Sequence, residues 1–343
     1  CALDPVYFMR EYCFIQHPVK GKMKFDLYPF QEKTLRDFKE HDYNVILKAR
    51  QLGISTLSAG YSLWLMNFHA DKNILVIATK QEVAKNLVTK VRVMHKELPN
   101  WLKQGCAEDN KLSLRYNNGS QIKAISSTGE AGRSEALSLL IIDEAAFIKN
   151  IDEIWAASQQ TLATGGKCIA LSTPNGMGNW FHKTWTDAEE GANSFNFIRL
   201  HWTVHPNREQ DWRDEQNKLL GPDMAAQECD CDFISSGQSV IPGELIKEMQ
   251  DHSVCEPIEK RYEDALWIWK HPEPNKNYLL SADVARGDGA DFSAFHIFDL
   301  TTLEQVAEYR SKEDTTRYAG ILMAMATEYN DALLVVENNN VGW

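Results

Sequence analysis

No stretch of the chain approaches the roughly 20 consecutive apolar residues of a membrane-spanning helix, so no membrane partner is expected. A signal-peptide core is also missing, although that absence carries little weight in a chain that opens on Cys1 rather than Met. The seven cysteines are odd in number and none are spaced C-x-x-C, which excludes a paired disulfide framework and suits a reducing cytoplasm. Positive charge is scarce: 36 Lys and Arg face 48 Asp and Glu, a formal net charge of −12. That excludes a globally basic nucleic-acid coat, while local Lys/Arg stripes and divalent ions could still hold DNA. Internal repeats and low-complexity segments are lacking too.

What is present is apolar and patterned. A hydrophobic content of 43% over 343 residues supports two domains with real cores. The start at Cys1 and the end at Trp343 read as a fragment open at both ends. From residue 44 to about 174, strand and helix patterns alternate: strands at 44–49, 73–79, 137–142 and 167–172, helices at 55–68 and 81–98. A hairpin is expected from 111–116 and 120–126 across Asn117-Asn118-Gly119. This alternation predicts a mostly parallel sheet with crossover helices. A strand at 195–203 and a helix at 207–220 predict a covering subdomain within about 175–240, closing a first domain of 1–240. Residues 241–274 turn polar and Pro-punctuated, as in a linker. The second domain, 275–343, reads as three strands (278–285, 293–299, 305–311), a helix (315–329) and a fourth strand (332–337).

The most informative segment is Leu139-Leu140-Ile141-Ile142-Asp143-Glu144, four apolar residues ending in two carboxylates. A buried parallel strand fits the apolar run. The acids then emerge at its carboxyl end, where α/β sheets bind ligands. Asp143 can hold Mg²⁺ and Glu144 can deprotonate an attacking water, the form of a Walker B motif. A solvated acidic turn is the blander alternative. Between the 44–49 strand and the next helix lies Lys48-Ala49-Arg50-Gln51-Leu52-Gly53-Ile54-Ser55-Thr56, at the place of a P-loop. The general pattern G-x-x-x-x-G-K-[ST] fails twice: Lys48 stands at the first Gly position and Ile54 at the Lys position. One cation has moved from the end of the loop to its start. Gly53 still permits close backbone approach, the helix amides can cradle phosphate, and Ser55 or Thr56, with Ser55 assigned, offers a hydroxyl to Mg²⁺.

Other candidates surround this pair. In Tyr28-Pro29-Phe30-Gln31, Gln31 can read an adenine edge beside an aromatic ring, or the segment simply starts a helix at Pro29. Ser172 and Thr173, in Leu-Ser-Thr-Pro-Asn-Gly, end the strand after Walker B and could sense the γ-phosphate, whereas turn chemistry explains Pro174 to Gly176. Arg133, in a Gly-flanked loop, is a candidate arginine finger acting in trans and Arg50 one acting in cis, though most loop arginines are merely solvated. Lys80, Lys85, Lys90 and Arg92 could track a nucleic-acid backbone, but a solvated helix face is expected. Cys229 and Cys231 with His201 and His205 are poorly spaced for structural zinc.

A second acidic site is expected downstream. Leu-Leu-Ser-Ala-Asp283 and Leu-Leu-Val-Val-Glu337 are two strands that each end in a carboxylate. The order of elements between them is that of an RNase H-like sheet, whose first and fourth strands are neighbours, so Asp283 and Glu337 would meet. Such carboxylates bind paired Mg²⁺ or Mn²⁺ for phosphodiester cleavage. Asp291, in Gly287-Asp288-Gly289-Ala290-Asp291, is either a further ligand or a capping residue of a Gly-rich turn.

From about residue 26 to Trp343 these motifs, in this order, resemble the large terminase subunits of tailed bacteriophages. The resemblance rests on Tyr-Pro-Phe-Gln, the displaced-lysine loop, Leu-Leu-Ile-Ile-Asp-Glu, Ser-Thr-Pro-Asn, Asp283 and Glu337-Asn-Asn. It implies an α/β chain, a P-loop ASCE (RecA-like) ATPase domain followed by a truncated RNase H-like nuclease domain. It further implies ATP with Mg²⁺ in the first, Mg²⁺ or Mn²⁺ in the second, and ATP-driven packaging of double-stranded DNA with cutting of concatemers. The implied partners are a portal protein, a small terminase subunit and further copies in a pentameric ring. The implied place is the host cytoplasm and, transiently, the procapsid portal vertex, not the mature virion. A final nuclease ligand would lie beyond Trp343. An ATP-dependent helicase shares the Walker core and is the alternative, as is an idle nucleotide-binding ring component; helicases usually pair two such cores.

Overall fold

The structure, a computed structural model, describes residues 1–127, 136–233, 252–285 and 291–337, with Leu245 and Met249. The chain divides into two compact units, Cys1–Glu248 and Met249–Trp343.

The first unit opens with helix α1 (Pro5–Tyr12), a hairpin of β1 (Phe14–His17) and β2 (Gly21–Lys24), and α2 (Pro29–Glu40). Then follow β3 (Tyr43–Lys48), α3 (Ile54–Phe68), β4 (Asn73–Ala78), α4 (Gln81–Glu97), β5 (Cys106–Asp109), β6 (Ser113–Tyr116) and β7 (Gln121–Ser126). The rest comprises β8 (Leu139–Asp143), α5 (Ile151–Leu162), β9 (Lys167–Ser172), α6 (Trp180–Glu189), β10 (Asn196–Leu200), α7 (Gln210–Leu220) and the short α8 (Pro222–Ala225). Eight strands form one sheet in the order β10-β3-β9-β8-β4-β7-β6-β5. The six from β10 to β7 run parallel, and β6 and β5 close the far side as antiparallel neighbours.

Placing β9 between β3 and β8 is the ASCE arrangement, in which one strand separates the phosphate loop from the Walker B strand. β8 shows why its sequence is apolar throughout. Leu139 and Ile141 join the core on one face of the sheet and Leu140 and Ile142 the core on the other. Each such buried side chain contributes roughly 1.5–3 kcal/mol, so a polar residue in this strand would be costly anywhere but at its tip.

Two expectations need correction. The 195–203 strand does not belong to a covering subdomain: β10 pairs in parallel with β3 in the main sheet. Its alternating burial is that of an edge strand, and alternation alone does not say which sheet a strand joins. Residues 241–274, read as a linker, contain β11 (Glu259–Arg261) and β12 (Leu266–Ile268), which pair into the second unit's sheet.

That sheet is completed by β13 (Tyr278–Asp283), β14 (Ser293–Asp299), β15 (Gln305–Ser311) and β16 (Leu333–Val336), in the order β11-β12-β15-β14-β13-β16. Helix α9 (Thr315–Glu328) lays Tyr318, Ile321, Leu322 and Met325 into the core of this sheet. β13 is antiparallel to β14 and parallel to β16, the RNase H-like pairing of first and fourth strands. At the end of β14, Asp299 is buried and accepts from the Lys276 ammonium at 3.0 Å and the Thr301 amide at 2.8 Å. The Lys276 ammonium holds its carboxyl below the usual range. A depressed carboxyl stabilises the fold above its ordinary pKa of about 4 and loses that contribution as pH falls through the folded value. Asp299→Asn keeps the Thr301 bond, so its Tm should lie below wild type at pH 7, with the gap closing as pH drops under about 4. A gap constant with pH would rule out the ionic contribution.

Candidate functional site

The loop from β3 to α3 is held by its carbonyls. The Arg208 guanidinium donates to Arg50 O at 3.1 Å and Gln51 O at 3.2 Å while stacking over Trp212 at 4.2 Å. The buried Gln31 amide donates to Leu52 O at 2.9 Å and accepts from the Tyr28 amide at 3.1 Å. The Arg50 amide donates to Glu228 O at 2.7 Å. With the carbonyls so occupied, the loop turns sharply at Gln51 (φ 59°) and Gly53 (φ 76°) and enters α3. The first amides of a helix have no partner within it, and here they open the end of a buried helix as a phosphate-binding loop does.

Gln31 therefore braces the loop. Of the two readings of this segment, an adenine-edge contact and a helix start at Pro29, the helix start is seen, and the Gln31 side chain spends its carbonyl and one N–H on the protein. Gly53 is required twice over, because its φ is left-handed and a Cβ there would lie 2.8 Å from Gln31 Nε2. Gly53→Ala should therefore cost roughly 1–2 kcal/mol for the backbone alone and also displace Gln31. The expected result is a lowered Tm and weakened ATP binding, read by thermal unfolding and nucleotide titration; an unchanged Tm would remove the case for strain.

Asp143 ends β8 in a buried position, and its Oδ1 accepts from the Glu144 amide at 3.1 Å. Glu144 adopts a left-handed backbone (φ 55°, ψ 44°), unusual for a residue with a side chain. Its Oε1 lies 3.6 Å from Lys48 Nζ, so the contact spans the intervening strand β9. Lys48 is only 7% exposed at its side chain. Burial pushes the Glu144 carboxyl up, Lys48 opposes this, and the Asp143 and Glu228 carboxylates add to the rise. A carboxylate made more basic in this way is suited to accept a proton.

The tip of β9 is tied to the same place. Ser172 Oγ accepts from the Ala146 amide at 3.2 Å, and Asn175 Nδ2 donates to Ala146 O at 3.1 Å. Ser172 and Thr173 are both buried. Displacement of Glu144 would thus be felt two residues later by the segment entering α6. Arg50 is largely exposed and pairs with Glu228 at 3.4 Å.

Lys48, Gln51, Ser55, Thr56, Lys90 and Glu144 share the walls of one cleft of about 730 Å³. Ser55 lines this cleft, and its hydroxyl and the Asp143 carboxylate are both hard oxygens of the kind that Mg²⁺ takes. Arg133 lies outside the described residues. Arg208 and Glu228 were not anticipated, and Lys90 was read as a nucleic-acid contact or a solvated helix face rather than as part of this cleft; each arrives from an element distant in sequence and belongs to no motif.

In the second unit the parallel register sets Ala282 opposite Val336, and the Glu337 amide donates to Ala282 O at 2.9 Å. Asp283 and Glu337 thus leave adjacent strand ends, both exposed. Tyr318 pins this end by donating to Ala294 O at 2.6 Å and Asp283 O at 3.2 Å. Asp291 Oδ1 accepts from the next amide, Phe292, at 2.8 Å. Among the described residues, Asp283, Asp291 and Glu337 do not form a three-ligand group; the group of that kind is Asp37, Glu40 and His41 on α2 and just after it. Asp288 lies outside the described residues. Two adjacent carboxylates suit a divalent ion, with further donors still to be supplied.

Residues 45–248 match the family described as terminase large subunit, T4likevirus-type, N-terminal. The fold is similar to that of the large terminase of bacteriophage HK97, with a TM-score of 0.56 and 15% identity over 98% of this chain and 74% of that one. It is also similar to a variant ATPase domain of the Thermus phage P74-26 large terminase (TM-score 0.50, 22% identity, 61% and 95% covered). A third is the large terminase of a thermophilic bacteriophage in complex with ADP (TM-score 0.50, 14% identity, 91% and 77% covered). The family match covers more than half of the chain and includes the phosphate loop, the Asp143–Glu144 pair and the Ser172 strand, so the chain belongs to the terminase large subunit family.

Proposed function

We propose that the chain is the motor of a DNA-packaging machine, hydrolysing ATP to drive double-stranded DNA into a procapsid, with a metal-dependent endonuclease centre on its second unit. The observation that carries the motor reading is the half-buried Glu144 carboxylate, paired with the buried Lys48 and facing the phosphate loop across β9. The amides opening α3 bind the phosphates of ATP, Lys48 and Arg50 neutralise their charge, and Gln31 keeps the loop in shape. Glu144 accepts a proton from water as its oxygen bonds the γ-phosphorus and the bond to the ADP oxygen breaks. Asp143 and Ser55 would hold Mg²⁺, which supplies further charge neutralisation on the phosphates. Ser172, Thr173 and Asn175 relay the state of Glu144, and Arg133 completes a neighbouring copy's site in a pentameric ring. The nucleotide chemistry agrees with the ADP complex of the thermophilic-phage protein.

On the second unit, Asp283 and Glu337 would hold Mg²⁺ or Mn²⁺, with Asp291 as a further ligand, for cutting concatemeric DNA. The acting partners are the portal, a small terminase subunit and double-stranded DNA, meeting in the host cytoplasm at the portal vertex. The second unit's six-stranded mixed sheet is unlike a second motor core, which disfavours a helicase. Incubation with procapsids, linear duplex DNA and ATP tests the reading: nuclease-protected DNA is expected. ATP-dependent strand displacement without protection would overturn it in favour of a helicase.

A further inference from the structure

The cleft holds more positive charge than its motifs account for. Three of its cations are committed to the protein: Lys48 to Glu144 at 3.6 Å, Arg50 to Glu228 at 3.4 Å, and Arg208 to the loop carbonyls at 3.1 and 3.2 Å. Lys90, ten residues into α4, is different. It is half-buried and lines the cleft with Lys48, Ser55, Thr56 and Glu144. It also borders a smaller cavity of about 170 Å³ walled by Phe14, Ile15, Val93 and Met94. Among the described residues its ammonium makes no hydrogen bond or ion pair. Burial works against its charge and Lys48 repels it, while the Asp143 carboxylate favours it. A cation partly withdrawn from water without a direct partner is unfavourable unless an anion joins it. The only motif position that would normally supply a lysine to the phosphates is occupied by Ile54, which is buried.

We infer that Lys90 is a phosphate-binding residue of the nucleotide site, reaching from α4 to the anionic groups of ATP in the role that Ile54 cannot fill. The inference rests on the ATP reading above. It explains why one of the three lysines of α4 lines the cleft, and how the charge missing at Ile54 is made up beside the displaced Lys48. The helix that carries it follows β4, the strand beside Walker B, so nucleotide contact through Lys90 would also bind α4 to the state of the cleft.

The test is nucleotide titration and ATP turnover for the full chain, comparing wild type with Lys90→Met, Lys90→Gln and Lys90→Arg. Removing a charge-assisted bond to phosphate should weaken ATP binding by about ten- to a hundredfold in the Met and Gln variants, while Arg stays within about threefold. Thermal unfolding without nucleotide should show no loss, because no protein partner is removed. ATP binding and turnover equal to wild type in Lys90→Met would overturn the inference while leaving the ATPase reading intact. An equal loss in all three variants, Arg included, would assign Lys90 to packing and overturn it as well. Failure of the wild type itself to bind ATP would overturn both readings.

Discussion

Glu144→Gln is expected to lower ATP turnover by about 10²–10⁴-fold, the range for loss of a general base, with ATP binding retained. The substitution preserves side-chain length, the left-handed turn and the neighbouring bond from the Glu144 amide to Asp143 Oδ1. What it removes is the acceptor for the water proton. Binding is spared because the proposed phosphate contacts come from the loop, Lys48, Lys90 and the start of α3, none of which the amide disturbs. Loss of a charge 3.6 Å from Lys48 should even favour an incoming anion slightly. Nucleotide titration and phosphate release measured on the same preparation check both halves. A variant that turned over ATP at more than a tenth of the wild-type rate would show that the proton goes elsewhere.

Lys48→Met carries the second large effect. In a general P-loop the lysine stands where Ile54 stands here, so the displaced lysine, together with Lys90, must supply what that position lacks. Lys48 is buried at the end of β3 and in contact with Glu144, so one substitution removes phosphate charge and also leaves the carboxylate without its nearest cation. Losing a preorganised charge of this kind costs about 10²–10³-fold in turnover, and ATP binding should weaken with it. Lys48→Arg, longer and planar, should recover binding better than turnover. If Lys48→Met retained wild-type kinetics, the displaced-lysine assignment would be refuted.

The parts of this molecule that were legible in sequence are those where burial is periodic or total. β8 needs both faces covered, and its run of four apolar residues ending in Asp143 and Glu144 says so. The same logic placed β3, β4, β9 and, in the second unit, β13 to β16. The parts that were not legible depend on partners far away in sequence. Residues 259–261 and 266–268 are strands of three residues each, too short for a period to show, and the proline-punctuated polar text around them read as a linker. The strand at 196–200 was visible, but its attachment to β3 was not. Arg208 and Glu228 reach the phosphate loop only after the chain has crossed the sheet again, and Lys90 looked like one more charge on a solvated helix. Gln31 was found by its motif, and the structure gave it a bracing contact that the motif does not encode.

The central claim is that the cleft at the tip of the first sheet hydrolyses ATP. Phosphate release by the purified wild-type chain at saturating ATP and Mg²⁺, with and without linear duplex DNA, tests it most directly. The account predicts turnover that rises when DNA is added and vanishes in Glu144→Gln. ATP bound by the wild type but released unhydrolysed, with DNA and at concentrations that favour assembly, would contradict it.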